Sequence, residues 1–103
     1  MNYEQLLDIL NPTGIPFACH HWEKVPPPPY GVYFNARANN FAADGVTYFI
    51  VPHYIVELYI PQRDPVMEGK VERALTNAGI YWDKGAAWVE DLRLFQVYYE
   101  FEV

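Results

Sequence analysis

From Tyr54 to Ile60 the chain alternates without a break. Tyr54, Val56, Leu58 and Ile60 point one way, and Ile55, Glu57 and Tyr59 the other. A period of two over β-branched and aromatic residues specifies a strand with one well-buried face. It closes the longest apolar run of the sequence, VTYFIVPHYIVELYI at Val46–Ile60. The run predicts the third strand and the middle of a sheet, which the rest of the chain must pair with or cover. Pro52 interrupts it and removes one ladder donor, which predicts a bulge or an edge position there.

The 103 residues are enough for one domain, 1–103. A chain of this size buries roughly 65% of its unfolded surface, which allows one modest core. The first helix is signalled by Asn2 as a cap, with Tyr3, Leu6, Leu7 and Leu10 on one face and Asn11-Pro12-Thr13-Gly14 as the stop. Ile15–Glu23 reads as a first strand. Phe17, Cys19 and His21 lie on one face, and Ala18, His20 and Trp22 on the other. Pro26–Pro29 is stiff and poor in donors; a rigid connector is a plainer reading than a ligand for a proline-reading domain. Tyr30–Asn35 is the second strand, with Val32 and Phe34 on one face. Ala36–Gly45 is a loop or hairpin tip, turning at Asp44-Gly45.

Beyond the third strand, Asp64 caps a helix opened by Pro65, with Met67, Val71, Leu75 and Ala78 as its apolar stripe. Glu68, Lys70, Glu72 and Arg73 are expected to face water, and Gly79 to end the helix. Ile80-Tyr81-Trp82 begins another strand and Asp83-Lys84-Gly85 turns. Ala87–Val103 then runs as the last strand, with Phe95, Val97, Tyr99, Phe101 and Val103 opposite Gln96, Tyr98, Glu100 and Glu102. The order is α-β-β-β-α-β with room for a short extra strand. It predicts an α+β domain, a mostly antiparallel sheet of about four strands with both helices on one face.

Charge and composition narrow the function. The net charge is −6 and the pI about 4.8, which argues against gripping nucleic acid through its phosphates. It still allows a surface past which DNA slides without being held. Nine tyrosines suit half-buried faces and protein interfaces, although β-propensity alone would also favour them. The single cysteine, Cys19, makes no internal disulfide, so no oxidising compartment is required. Met1 leads into a polar, amphipathic start rather than a signal peptide, and no apolar run reaches a membrane span, which points to the cytosol.

Chemistry-bearing residues are sparse. Cys19, His21 and His53 could approach a metal, but three ligands without a recognised spacing are more simply a buried thiol beside imidazoles. A Cys–His nucleophile would lack an orienting third group and a Gly-rich oxyanion turn. Glu90-Asp91 reads as a solvated edge rather than a general acid/base pair. The glycines are isolated, so there is no phosphate loop. The expectation is a non-enzymatic protein with no cofactor and no metal.

Patterns along nearly the whole chain carry a resemblance. They are Ile15-Pro16-Phe17-Ala18 with His21, Pro29-Tyr30 opening a strand, and Asn39-Asn40-Phe41-Ala42-Ala43-Asp44-Gly45. Val56-Glu57-Leu58-Tyr59, Asp64-Pro65 with Glu72, Gly79-Ile80 and Gln96-Val97-Tyr98-Tyr99-Glu100 follow in order. In these the chain resembles tail terminators, also called tail completion or head–tail joining proteins, of long-tailed phages and prophages of Gram-positive bacteria. The four-proline run and Pro52 depart from that family's pattern.

The resemblance implies an α-β-β-β-α-β order and a ring, typically a hexamer, that caps the head-proximal end of the tail tube. The implied partners are further copies of the chain, the tail tube protein and the head–neck connector proteins. No membrane and no specific nucleic-acid contact are implied, though DNA passes through the ring. The implied location is the virion neck, assembled in the bacterial cytoplasm. Asn39, Asn40, Phe41 and Asp44 at the tip are expected to touch a neighbouring subunit or the tube; the plainer alternative is that Asn39 and Asn40 only shape a turn and Phe41 packs on its own core. Two alternatives stay open. One is another neck, connector or minor capsid component. The other is a small metal-binding or enzymatic domain using Cys19, His21 and His53.

Overall fold

A computed structural model describes residues 1–36 and 52–103. The elements run α1 (Tyr3–Leu10), a short 3-10 turn (Asn11–Thr13), β1 (Phe17–Cys19), β2 (Tyr30–Asn35), β3 (His53–Ile60), α2 (Pro65–Asn77), β4 (Asp83–Val89) and β5 (Leu94–Glu102). The class is α+β, as the pattern predicts, but the described sheet has five strands in the order β1-β2-β3-β5-β4. β1 runs parallel to β2 and every other pairing is antiparallel. The element order is therefore α-β-β-β-α-β-β.

β3 alternates half-buried and buried over all eight residues. Tyr54, Val56, Leu58 and Ile60 are buried as expected, and they meet Leu6 and Leu10 of α1 and Val71 and Leu75 of α2 in the core. The described part of the third strand begins at His53, and 46–51 lie outside the described residues. The β3–β5 register is unbroken from His53. Pro52 stands just ahead of it; its carbonyl accepts the Val103 N–H at 3.3 Å, and its missing donor leaves that pair without the return bond.

Both helices are built as their termini predict. The Asn2 side chain accepts from the Gln5 N–H while Gln5 Oε1 accepts from the Asn2 N–H, both at 2.8 Å, a reciprocal capping box. Asp64 accepts from the N–H groups of Val66 and Met67, each at 3.1 Å. At the other end of α2, Gly79 takes φ +77°. Its N–H donates to Thr76 O, and Ile80 N–H donates to Leu75 O. These are the two bonds of a Schellman motif.

Four expectations are corrected. The first strand stops at Cys19 because His20 adopts φ +68°, so His21 and Trp22 are not on it. Asp83-Lys84-Gly85 is not a turn but the start of β4. The chain reverses instead at Glu90–Arg93, where Arg93 takes φ +53° and its N–H donates to Glu90 O at 3.1 Å. The separate hairpin raises the strand count from about four to five. On α2, Glu68 faces the protein rather than water, with 3% of its surface exposed, and Ala78 is exposed rather than part of the stripe. The buried stripe is Glu68, Val71 and Leu75, at i, i+3 and i+7.

Candidate assembly surface

Both helices lie on one side of the sheet, so the register divides the strand residues into a covered and an open face. Phe34, Ile55, Glu100 and Asp83 stand in one row of the open face. Val32, Glu57 and Tyr98 form the next, and Tyr30, Tyr59 and Gln96 a third. His53 and Glu102 pair at the end where β2 has already stopped. Most of these side chains are half-buried by one another rather than by a second layer.

Their positions are fixed by bonds within the face. Tyr30 and Tyr59 stack with ring centres 5.1 Å apart, and Trp22 sets its edge against Tyr30 at 6.5 Å. Trp22 leaves the β1 strand but returns to cover β2, where its Nε1–H donates to Gly31 O at 2.9 Å. The Tyr59 hydroxyl donates to Glu57 Oε1 at 3.0 Å and accepts from Gln96 Nε2–H at 2.9 Å. Burial pushes that hydroxyl up to about 12, with Glu57 adding to the rise against the bond from Gln96. His53 Nε2 lies 3.2 Å from Glu100 Oε2. Its Nδ1 is 3.6 Å from Glu102 Oε1, too far for a hydrogen bond. The face is thus aromatic at the β2–β3 side and acidic toward β5, with Glu57, Glu100, Glu102 and Asp83.

The covered face carries a separate charged cluster at the sheet margin. Glu68 Oε1 lies 2.9 Å from Arg63 Nη2 and 2.9 Å from Lys84 Nζ, and its Oε2 accepts the Asp64 N–H at 2.9 Å. Lys84 Nζ also donates to Glu72 Oε2 at 2.6 Å, and the Tyr99 hydroxyl donates to the same oxygen at 2.8 Å. The Arg63 guanidinium, with smaller help from Lys84 and the Asp64 N–H, outweighs burial and holds the Glu68 carboxyl at about 2. Burial draws the Lys84 ammonium down, but Glu72 and Glu68 together raise it above its ordinary value. Burial and the adjacent Glu72 push the Tyr99 hydroxyl well above its ordinary range. Every partner is matched, so the cluster clamps α2 to β4 and holds no free acid or base. A carboxylate on an apolar stripe was the available signal for it in the sequence.

The sequence candidates fall as follows. Asn39, Asn40, Phe41 and Asp44 lie outside the described residues. Cys19 pairs with Tyr33 on the covered face and packs against the core, while His53 belongs to the open face and His21 follows the strand. Among the described residues no group of three His, Cys, Asp or Glu is placed to hold a metal ion. Burial raises the Cys19 thiol above its ordinary value, which disfavours the thiolate a nucleophile needs. Glu90 and Asp91 are exposed in the β4–β5 turn. No helix among the described residues is long and apolar enough to cross a membrane.

No protein-family model, no curated protein and no solved structure matches this chain.

Proposed function

We propose that this chain is a non-enzymatic structural protein of a long-tailed phage or prophage. In this reading it is a tail terminator that caps the head-proximal end of the tail tube as a ring and joins it to the head. The observation that carries the reading is the open sheet face, a set of tyrosines and carboxylates held in place by their own bonds. Pre-positioned aromatic side chains give contact area at low entropic cost, which suits recognition by shape without chemistry. The sequence patterns along the chain support the same reading. A ring of subunits each carrying net charge −6 would let DNA pass without holding it.

Light scattering over a concentration series, with purified tail tubes added in a second set, tests this. With tubes present, a hexamer-sized species or binding to tube ends is expected. A protein that neither forms a ring nor binds tubes would end the terminator reading. Replacing Phe41 with Ser then tests the tip; assembly unchanged in a folded variant would remove it from the contact. A gene position other than just ahead of the major tail protein gene would favour another neck or connector component.

A further inference from the structure

The two margins of the sheet are protected very differently. β1 is three residues long, preceded by Pro16 and stopped by the left-handed His20. Short strands and flanking prolines are usual defences against edge-to-edge pairing. β4 has seven residues, an unbroken register with β5, no proline and mostly exposed side chains. Its one lysine, the usual guard of an edge, is tied back to α2 by Glu68 and Glu72. With Asp83 and Lys84 as its only charges, the strand is neutral within a chain of net charge −6.

The hydrogen-bond phase of the sheet identifies the groups left unpaired among the described residues. Val103 N–H donates to Pro52 O, so the odd-numbered residues of β5 turn their backbone groups toward β3 and the even-numbered ones toward β4. On β4 the partners of those even residues are Asp83, Gly85, Ala87 and Val89. Lys84, Ala86 and Trp88 therefore direct their N–H and C=O groups outward.

We propose that β4 pairs antiparallel with β4 of a second copy of this chain, about a two-fold axis at Ala86. This register sets Ala86 against Ala86 and Lys84 against Trp88 of the other copy. It is the one that uses all three outward residues of each strand, giving six backbone hydrogen bonds. Lys84 and Trp88 project on the same side of the strand, opposite Tyr99 and Phe95, so the apolar stem of the lysine meets an indole twice in the interface. The small Ala86 lies between them. On the opposite side Gly85 meets Ala87, and the Tyr98 ring lies across Gly85 so closely that a Cβ there would overlap it. A head-to-tail contact with β1 would meet a strand of only three residues. The contact is isologous, unlike the heterologous one that closes a ring, and does not depend on the tail-terminator reading.

Sedimentation or light scattering of the full chain across a concentration series is the first test, and a species of twice the 12.0 kDa chain mass is expected. Ala86→Pro removes an outward donor that the monomer's own ladder does not use. It should weaken dimerisation by at least about tenfold while the far-UV spectrum is kept. A second variant covers the case in which that substitution does not fold. Ala86→Cys in a Cys19→Ser background should cross-link to a covalent dimer on mild oxidation, because directly opposed bonded residues sit ~5.5 Å apart at Cα. A chain that stays monomeric throughout, a dimer unaffected by folded Ala86→Pro, or a dimer that does not cross-link through Ala86→Cys would each overturn the proposal.

Discussion

The two faces of this sheet share the same strands and backbone, yet they are held by different physics. On the covered face, Val56, Leu58, Val97 and Tyr99 have no exposed surface, and their contribution comes from apolar area removed from water. On the open face, Tyr59, Gln96, Glu57 and His53 are held by hydrogen bonds and ring contacts within a half-wet layer. The covered face should therefore govern whether the chain folds, and the open face what it can meet once folded.

The strongest challenge to that division is a cavity beneath β3. Leu58→Ala should cost about 2–5 kcal/mol, read from chemical denaturation, because a fully buried leucine leaves a hole that neighbours fill only partly. A loss below about 1 kcal/mol would mean that the core does not sit where the strand alternation places it.

Glu68 tests the charged margin of the covered face. The Arg63 guanidinium holds its carboxyl at about 2, below the ordinary 4.5. The stabilisation is thus fully present above about pH 4.5 and is lost as pH falls through 2. Its size is about 3 kcal/mol. Glu68→Gln should remove a similar amount at neutral pH and flatten the acid limb of the stability curve between those values. An unchanged acid limb would show that the Arg63–Glu68–Lys84 cluster contributes nothing in solution.

Gly31 lies where the two faces are hardest to separate. A Cβ there would overlap the Phe17 ring and come within 2.6 Å of the Glu57 carbonyl oxygen, which belongs to the central strand's backbone. Gly31→Ala should cost about 1–3 kcal/mol through overpacking, measured by thermal unfolding. A neutral result would mean that β1 can lift away from β2.

The smallest effect is expected on the open face. Tyr59→Phe deletes the bonds to Glu57 and Gln96 but leaves the ring stacked on Tyr30, and should cost about 0.5–1.5 kcal/mol. If it cost as much as Leu58→Ala, the open face would be part of the folding core and the contrast would fail.

Much of the covered face was legible because periodicity and core-forming chemistry agree there. β3 follows its period of two, and α2 starts at Asp64-Pro65 and ends at Gly79 as local rules require. The β4–β5 hairpin was not legible, because its turn chemistry is misplaced. Asp83-Lys84-Gly85 looks like a turn, but Gly85 makes room for Tyr98 and Lys84 reaches across to α2. The true turn, Glu90-Asp91-Leu92-Arg93, has neither glycine nor proline, and Arg93 adopts the left-handed angle itself. β1 misled in the same way. Its alternation runs on to Trp22, but the backbone turns at His20 and only the Trp22 ring returns to the sheet. On the open face, tyrosines and glutamates at alternating positions indicated partial exposure, but not which of them would bond to one another.

The place of β5 also constrains how the chain is made. Leu94–Glu102 lies between β3 and β4, although it follows both in sequence. Until those residues have been made, β4 has no strand to pair with, and the backbone groups of Tyr54, Val56 and Leu58 that face β5 stay open. β3 therefore keeps one edge unsatisfied during synthesis until Leu94–Glu102 has emerged.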